Sequence, residues 1–270
     1  MRRLARSARS FLPAHLSLNQ LRESAIGCTG CDLYKQATQT VFGEGTARAS
    51  MMLVGEQPGD QEDLAGHPFV GPAGKILDKA LGEAGITRRE VYVTNAVKHF
   101  KWEPQGKRRK HKKPSVTEIA ACRPWLEAEV QVVKPRVVVC LGVSAAQSVF
   151  GKTIRLNEMR GQAWSTPLAA IIFVTVHPSA ILRHPDPAER EYEYRRFVED
   201  LRRVRDQLRG PRPHRAPPET INCRAIERSQ TNRSLQTGGD RYRGSGNRRS
   251  WRQNNAGNDS RRQTAPQNGW

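Results

Sequence analysis

Apolar residues along this chain fall into two rhythms. Tyr194, Phe197, Leu201, Val204 and Leu208 recur at helical spacing and predict one long helix over about residues 187–208. Elsewhere apolar residues come in short unbroken runs, at 50–54, 91–94, 137–141 and 171–176. Runs of that length predict strands with both faces covered. Amphipathic stretches between them predict helices over 17–25, 73–84, 116–132 and 144–150. Strands alternating with helices predict an α/β fold with a parallel sheet between helical layers. No internal repeat is present.

The pattern breaks in three places. From Val54 to Gly74 the chain reads as a long loop with five glycines, three prolines and four acids, Glu56, Asp60, Glu62 and Asp63. It joins a strand to a helix, which is where α/β proteins keep ligand chemistry. It lacks the G-K-[ST] of a phosphate loop and the spacing of a dinucleotide fingerprint. Residues 96–115 read as a second loop, strongly basic, with Phe100 and Trp102 among its lysines and arginines. That mixture suits phosphate contacts and base stacking, and equally a solvated charge run. From Gly210 onward, arginine and polar residues dominate, with too little apolar surface to offset ordering entropy. The expected division is a basic arm over 1–14, frayed and without an address, a folded domain over 15–209, and a disordered tail over 210–270. The tail either adds non-specific affinity for nucleic acid or is a tolerated extension.

Charge sharpens the picture. The 270 residues carry a formal +19, of which the tail holds +8. Such a surplus favours a polyanionic partner or a solvated basic surface. No apolar run approaches the roughly 20 residues of a membrane span, so a membrane role is not expected; the C-x-x-C without a secretory signal suggests a reducing compartment, and the expected setting is a bacterial-type cytoplasm with nucleoid-associated activity. Of five cysteines, Cys223 lies in the tail and Cys28, Cys31, Cys122 and Cys140 in the patterned part. Four thiolates would suit zinc or a 4Fe–4S cluster. Cys122 and Cys140 would also serve as small buried apolar residues, and Cys28-Thr29-Gly30-Cys31 alone as a redox pair.

Three side chains stand at or just past predicted strand ends, where ligands of open α/β sheets bind: Glu56, Asn95 and His177. Asn95 offers a donor and an acceptor, matching the edge of an amide-like base. Phe69 is either a core plug or a platform for a flat ligand. His111, among positive charges, is expected to have a lowered pKa and a neutral ring, with an acid such as Glu56 opposing the shift but orienting it.

Taken together, G-E-Q-P-G-D-Q-E-D (55–63), G-H-P-F-V-G-P-A-G (66–74), T-N-A-V-K-H-F (94–100), V-H-P-S (176–179) and the cysteine quartet resemble the uracil-DNA glycosylase superfamily, over about residues 15–208. Within it the chain resembles the iron–sulfur family 4. The insertion K-R-R-K-H-K-K-P (107–114) makes it most similar to the UdgX branch, although Lys110 stands where an aliphatic residue is expected.

The resemblance implies a three-layer α/β/α fold on a four-stranded parallel sheet, and a 4Fe–4S cluster on Cys28, Cys31, Cys122 and Cys140. It implies a monomer acting on uracil-containing DNA, single strands favoured, with uracil flipped out of the stack. Phe69 would stack on the base, Asn95 would read its edge, and His177 would hydrogen-bond the leaving uracil. Gly55, Asp60, Asp63 and Arg109 fall around the substrate, the two acids supporting their loop and Arg109 holding the basic one. Glu56 and Gln57 would position His111 or a water, with their roles unsplit. In the UdgX branch His111 adds to C1′ and leaves a protein–DNA adduct. A turnover glycosylase and a non-catalytic nucleic-acid binder are the competing expectations.

Overall fold

The four apolar runs become four parallel strands. The computed structural model describes residues 7–210. In chain order the elements begin with α1 (Leu18–Ile26), β1 (Met51–Gly55), α2 (Asp60–Ala65), α3 (Pro72–Glu83) and β2 (Val91–Asn95). A hairpin of β3 (Trp102–Gln105) and β4 (Arg108–His111) follows, then α4 (Val116–Val133), β5 (Val137–Leu141), α5 (Val143–Phe150) and α6 (Leu156–Met159). The chain continues through β6 (Ala163–Trp164), β7 (Ile172–Thr175), α7 (Pro178–Arg183) and α8 (Pro187–Arg209).

The main sheet has the order β2-β1-β5-β7-β6. The first four strands are parallel, as expected, and the two-residue β6 adds an antiparallel fifth at the edge of β7. Alternation along the strands sorts the core. Met51, Leu53, Val91, Val93, Val137 and Val139 pack on one face with α3 and α8. Met52, Val54, Val138 and Cys140 face Leu126, Val130 and Ala145 from α4 and α5. A third apolar cluster, with Leu21, Cys28, Cys122 and Trp125, joins α1 to α4.

The strand order reverses between β1 and β5. The chain leaves β1 toward β2 on one side and later builds β5 and β7 on the other. The loop after β1 and the helix after β5 therefore diverge and open a crevice at the strands' carboxyl ends.

Three segments depart from the sequence pattern. Residues 60–65, expected within a loop, form α2, begun by three acids in its first turn that suit the positive helix end. Residues 102–111, expected as a loop, pair as the β3–β4 hairpin, which has no apolar rhythm because most of it is exposed. Residues 7–12, expected to fray, form a 3-10 turn capped by Ser7, with Ala8 buried beside Leu21 and Cys28. The basic tail beyond Gly210 and Cys223 within it lie outside the described residues. No helix among the described residues is long and apolar enough to cross a membrane.

Candidate active site

The crevice is a cavity of roughly 450 Å³. Its floor is set by register. Gly55 and Asn95 end β1 and β2 side by side, and a Cβ at Gly55 would overlap both Asn95 Oδ1 and the Phe69 ring. Only glycine lets these two groups close over the strand end. Phe69 itself has φ of +60°, a conformation costly for a non-glycine residue. It is held there because Gly74, without a side chain, packs directly on its carbonyl. The ring is buried and stacks on His177, with centroids 6.1 Å apart and planes at 29°. Beneath Asn95, the wholly buried Lys98 ammonium donates to Asn95 O at 2.9 Å and to Glu129 Oε2 at 2.6 Å, fixing the end of β2 from below.

The loop that carries Phe69 is stapled by Glu62. Its carboxylate accepts from Gly59 N at 3.0 Å and Gly71 N at 2.8 Å, tying one end of the loop to the other. The sequence reading did not single out Glu62. Its signal was the capping-box spacing, three residues after Gly59 at a helix start.

The basic hairpin is fastened on the same rim. Gln57, buried, donates through Nε2 to Lys101 O and Lys112 O, each at 3.1 Å, and accepts from Lys101 N at 3.1 Å. The hairpin's ends meet directly as well, with Lys112 N donating to Lys101 O at 2.9 Å. Arg109 drives back under the strands. It reaches Asp60 Oδ1 at 2.5 Å and Asp63 Oδ2 at 2.6 Å, and its guanidinium lies 5.5 Å from the Phe100 ring and 5.6 Å from that of Trp102. Asp63 is wholly buried and also accepts from Thr38 N. It is therefore a support for Arg109 and not a substrate contact, whereas Asp60 also lines the cavity. The clamp presents His111, at the end of β4, to the cavity.

His111 Nε2 stands 3.3 Å from Glu56 Oε1. The other Glu56 oxygen accepts a hydrogen bond from Ser144 Oγ, on α5. The two residues left unsplit by sequence thus separate: Glu56 faces His111, and Gln57 is spent on the hairpin. The His111 ring stays 44% exposed on the rim, and its pKa is lowered, first by the burial of the rest of the ring and also by the Arg183 charge, with Glu56 pulling the other way. The neutral ring expected from sequence follows, but its charge partner is Arg183 on α7, not the hairpin's own lysines and arginines.

His177 closes the opposite wall. Its Nδ1 accepts from Ser179 N at 3.2 Å, with Ser179 Oγ at 2.8 Å, so the neutral ring keeps its proton on Nε2. Burial pushes its pKa down to about 4, with Arg183 and His111 adding to the shift. A neutral N–H donor beside an aromatic platform and an amide is suited to a planar ligand that develops negative charge.

The sequence profile of the uracil DNA glycosylase superfamily matches residues 42–202, a span that holds this whole cavity. The chain belongs to the uracil-DNA glycosylase superfamily. A type-4 uracil-DNA glycosylase of Thermotoga maritima is 36% identical over 184 residues, which cover 67% of this chain and 90% of that protein. Its counterpart in Archaeoglobus fulgidus is 35% identical over 186 residues, covering 66% and 88%. That of Pyrobaculum aerophilum is 34% identical over 177 residues, covering 63% and 87%.

In this superfamily member the cysteine quartet does not assemble as expected. Cys28 and Cys122 are buried in one apolar cluster, with Cys31 packed against it. Lys98 N donates to Cys122 Sγ and Trp125 Nε1 to Cys28 Sγ, each at 3.3 Å. Cys140 lies in mid-sheet, paired with Val54 and Val174 and packed among aliphatic residues, and burial alone raises its pKa. It is a small core residue and not a fourth ligand. His99 is better placed. It is buried next to Lys98, and its Nε2 lies 2.9 Å from Thr40 Oγ1, which donates to Ala25 O, the carbonyl that also accepts the Cys28 amide. Among the described residues no three His, Cys, Asp or Glu side chains converge on a single ion. Three neighbouring thiols and an imidazole make a donor set that suits zinc or an iron–sulfur cluster.

Proposed function

We propose that this protein excises uracil from DNA and is then captured on the abasic sugar through His111, in the manner of the UdgX branch. Excision is supported by membership of the superfamily and by relatives named type-4 uracil-DNA glycosylases at 33–36% identity. Capture is supported by one observation above all: His111, neutral and clamped by Arg109, faces Glu56 at the mouth of the cavity.

The groups divide the work as follows. DNA, single strands favoured, meets the basic hairpin, and a flipped uracil enters over Gly55. Phe69 stacks on the base and the Asn95 amide reads its polar edge. The bond between uracil N1 and C1′ breaks, and its electron pair leaves with the base. His177 Nε2–H stabilises the resulting anion, so no strong acid is required. A neutral imidazole has one protonated nitrogen, held toward Glu56, and one lone pair. That lone pair bonds to C1′, and Glu56 offsets the positive charge that the ring acquires. Proximity lets His111 outcompete water.

A 4Fe–4S cluster is proposed on Cys28, Cys31 and Cys122, with His99 as the fourth donor. Bound there, the group would tie α1 to α4 and leave the cavity's own residues to do the chemistry.

Incubation with a single-stranded uracil oligonucleotide, followed by a denaturing gel, tests the reading. A shifted band stable to heat and detergent is expected, and is absent in His111→Ala. Free abasic DNA without a shifted band would leave a turnover glycosylase in which His111 only assists. Neither product would reject both enzymes in favour of a binding protein. DNA binding is expected to weaken steeply with salt.

A further inference from the structure

Glu56 has two carboxylate oxygens, and the fold gives each a different partner. Oε1 faces His111 Nε2 at 3.3 Å. Oε2 is taken by the Ser144 hydroxyl. Ser144 is buried in the first turn of α5 and lies across the strand reversal from Glu56, where β1 and β5 part. No sequence motif used above includes it.

We infer that Ser144 is a positioning residue for the capture step, acting through Glu56 on His111. This rests on the proposed reading of His111 as the nucleophile. A carboxylate on the rim of a cavity rotates freely unless one oxygen is held. With Oε2 fixed by Ser144, rotation about the carboxyl axis is blocked and Oε1 is left facing the imidazole. The serine donates its only proton to Glu56. The imidazole keeps its proton on the nitrogen toward Oε1 and its lone pair on the other. In the capture step the C1′–N1 bond of the nucleoside breaks with its electron pair going to uracil. The imidazole–C1′ bond forms from the lone pair, and the positive charge left on the ring is paired with the Glu56 carboxylate. Ser144 neither gains nor loses a proton in this balance.

Gly142 reinforces the arrangement. Its φ of +90° aims the start of α5 toward β1, and a Cβ there would press on His177. The turn that delivers Ser144 to Glu56 is thus packed against the residue proposed to hold the leaving base.

A double-mutant cycle under single-turnover conditions tests this, with adduct formation on a uracil oligonucleotide as the readout. Ser144→Ala is expected to slow capture roughly tenfold, within the range of coupled neighbours. In a Glu56→Ala background, which leaves Ser144 no acceptor to hold, the same substitution is expected to cost less than about twofold, because its route of action is gone. Ser144→Thr, which keeps the hydroxyl, is expected to restore most of the rate. A Ser144→Ala penalty of equal size with and without Glu56, or one that Thr leaves unrescued, would overturn the inference and mark a packing effect. If the wild-type protein releases uracil without an adduct, the covalent reading fails. The same cycle run on uracil release then decides Ser144 by itself: it stands if the penalty vanishes without Glu56 and falls if the penalty persists.

Discussion

Arg109 Nη1 lies 2.6 Å from Asp63 Oδ2, and this contact sets where His111 stands. Asp63 is wholly buried and anchored to Thr38 N, so it is a fixed post. Arg109 is two residues before His111 on the same strand and on the same face of the pleat. Arg109→Ala is expected to loosen the hairpin and slow adduct formation by about 100-fold, the scale of a misplaced reacting group. Base release is expected to fall much less, since Phe69, Asn95 and His177 are held by other contacts. Comparing the gel-shifted band with total abasic product measures the split.

The proposed capture needs a neutral His111, whose pKa is lowered by partial burial and by Arg183. Protonation removes the lone pair, so the rate is expected to rise with pH through a midpoint below the ordinary histidine value of about 6.5 and to level off by neutrality. Arg183→Gln removes a charge that disfavours the imidazolium. The midpoint of the pH–rate profile is then expected to move upward.

His177 links pH to stability. Its folded pKa, about 4, lies below the ordinary value because the buried ring resists charge. Between those values the unfolded chain binds a proton that the folded chain does not. Its contribution is therefore complete above about 6.5 and is lost as pH falls toward 4. Urea midpoints measured at pH 7.5 and 5 should show a smaller drop in His177→Gln than in the unaltered protein.

The thiols divide sharply in the structure and should divide in solution. Cys122→Ser is expected to bleach the absorbance of the proposed iron–sulfur cluster in protein purified without oxygen, and Cys140→Ser to leave it intact. A colourless, zinc-containing protein, or loss of colour in Cys140→Ser, would reject the proposed ligand set.

Much of this was legible in the chain. The four parallel strands followed from apolar runs alone, because a strand covered on both faces has no polar positions to blur it. That Asn95, Phe69, Glu56 and His177 share one cavity was legible from their places at strand ends and in a rigid loop. The hairpin was not, because an exposed two-stranded ribbon leaves no hydrophobic period to read. The partition of Glu56 from Gln57 was also hidden. Both are polar neighbours, and only the tertiary fold decides that one amide reaches Lys101 and Lys112 while one carboxylate reaches His111 and Ser144. Cys140 misled for a related reason. Sequence counts thiols, but the pleat sends its side chain into the aliphatic layer beside Ala145.

The hydrogen bond between Lys112 N and Lys101 O closes the hairpin at its root. The ten residues between them form a detachable module: they leave and rejoin the domain at one point, and they share no strand with the main sheet. Cutting out 102–111 and joining the two lysines should leave the main sheet intact, but it would strip the buried Asp63 of its Arg109 partner, so the excision needs Asp63→Asn beside it. The proposed nucleophile, His111, would go with the module, while Phe69, Asn95 and His177 would stay. A turnover enzyme and a self-trapping one would then differ by a single small graft on the rim, an easy step for evolution to take in either direction.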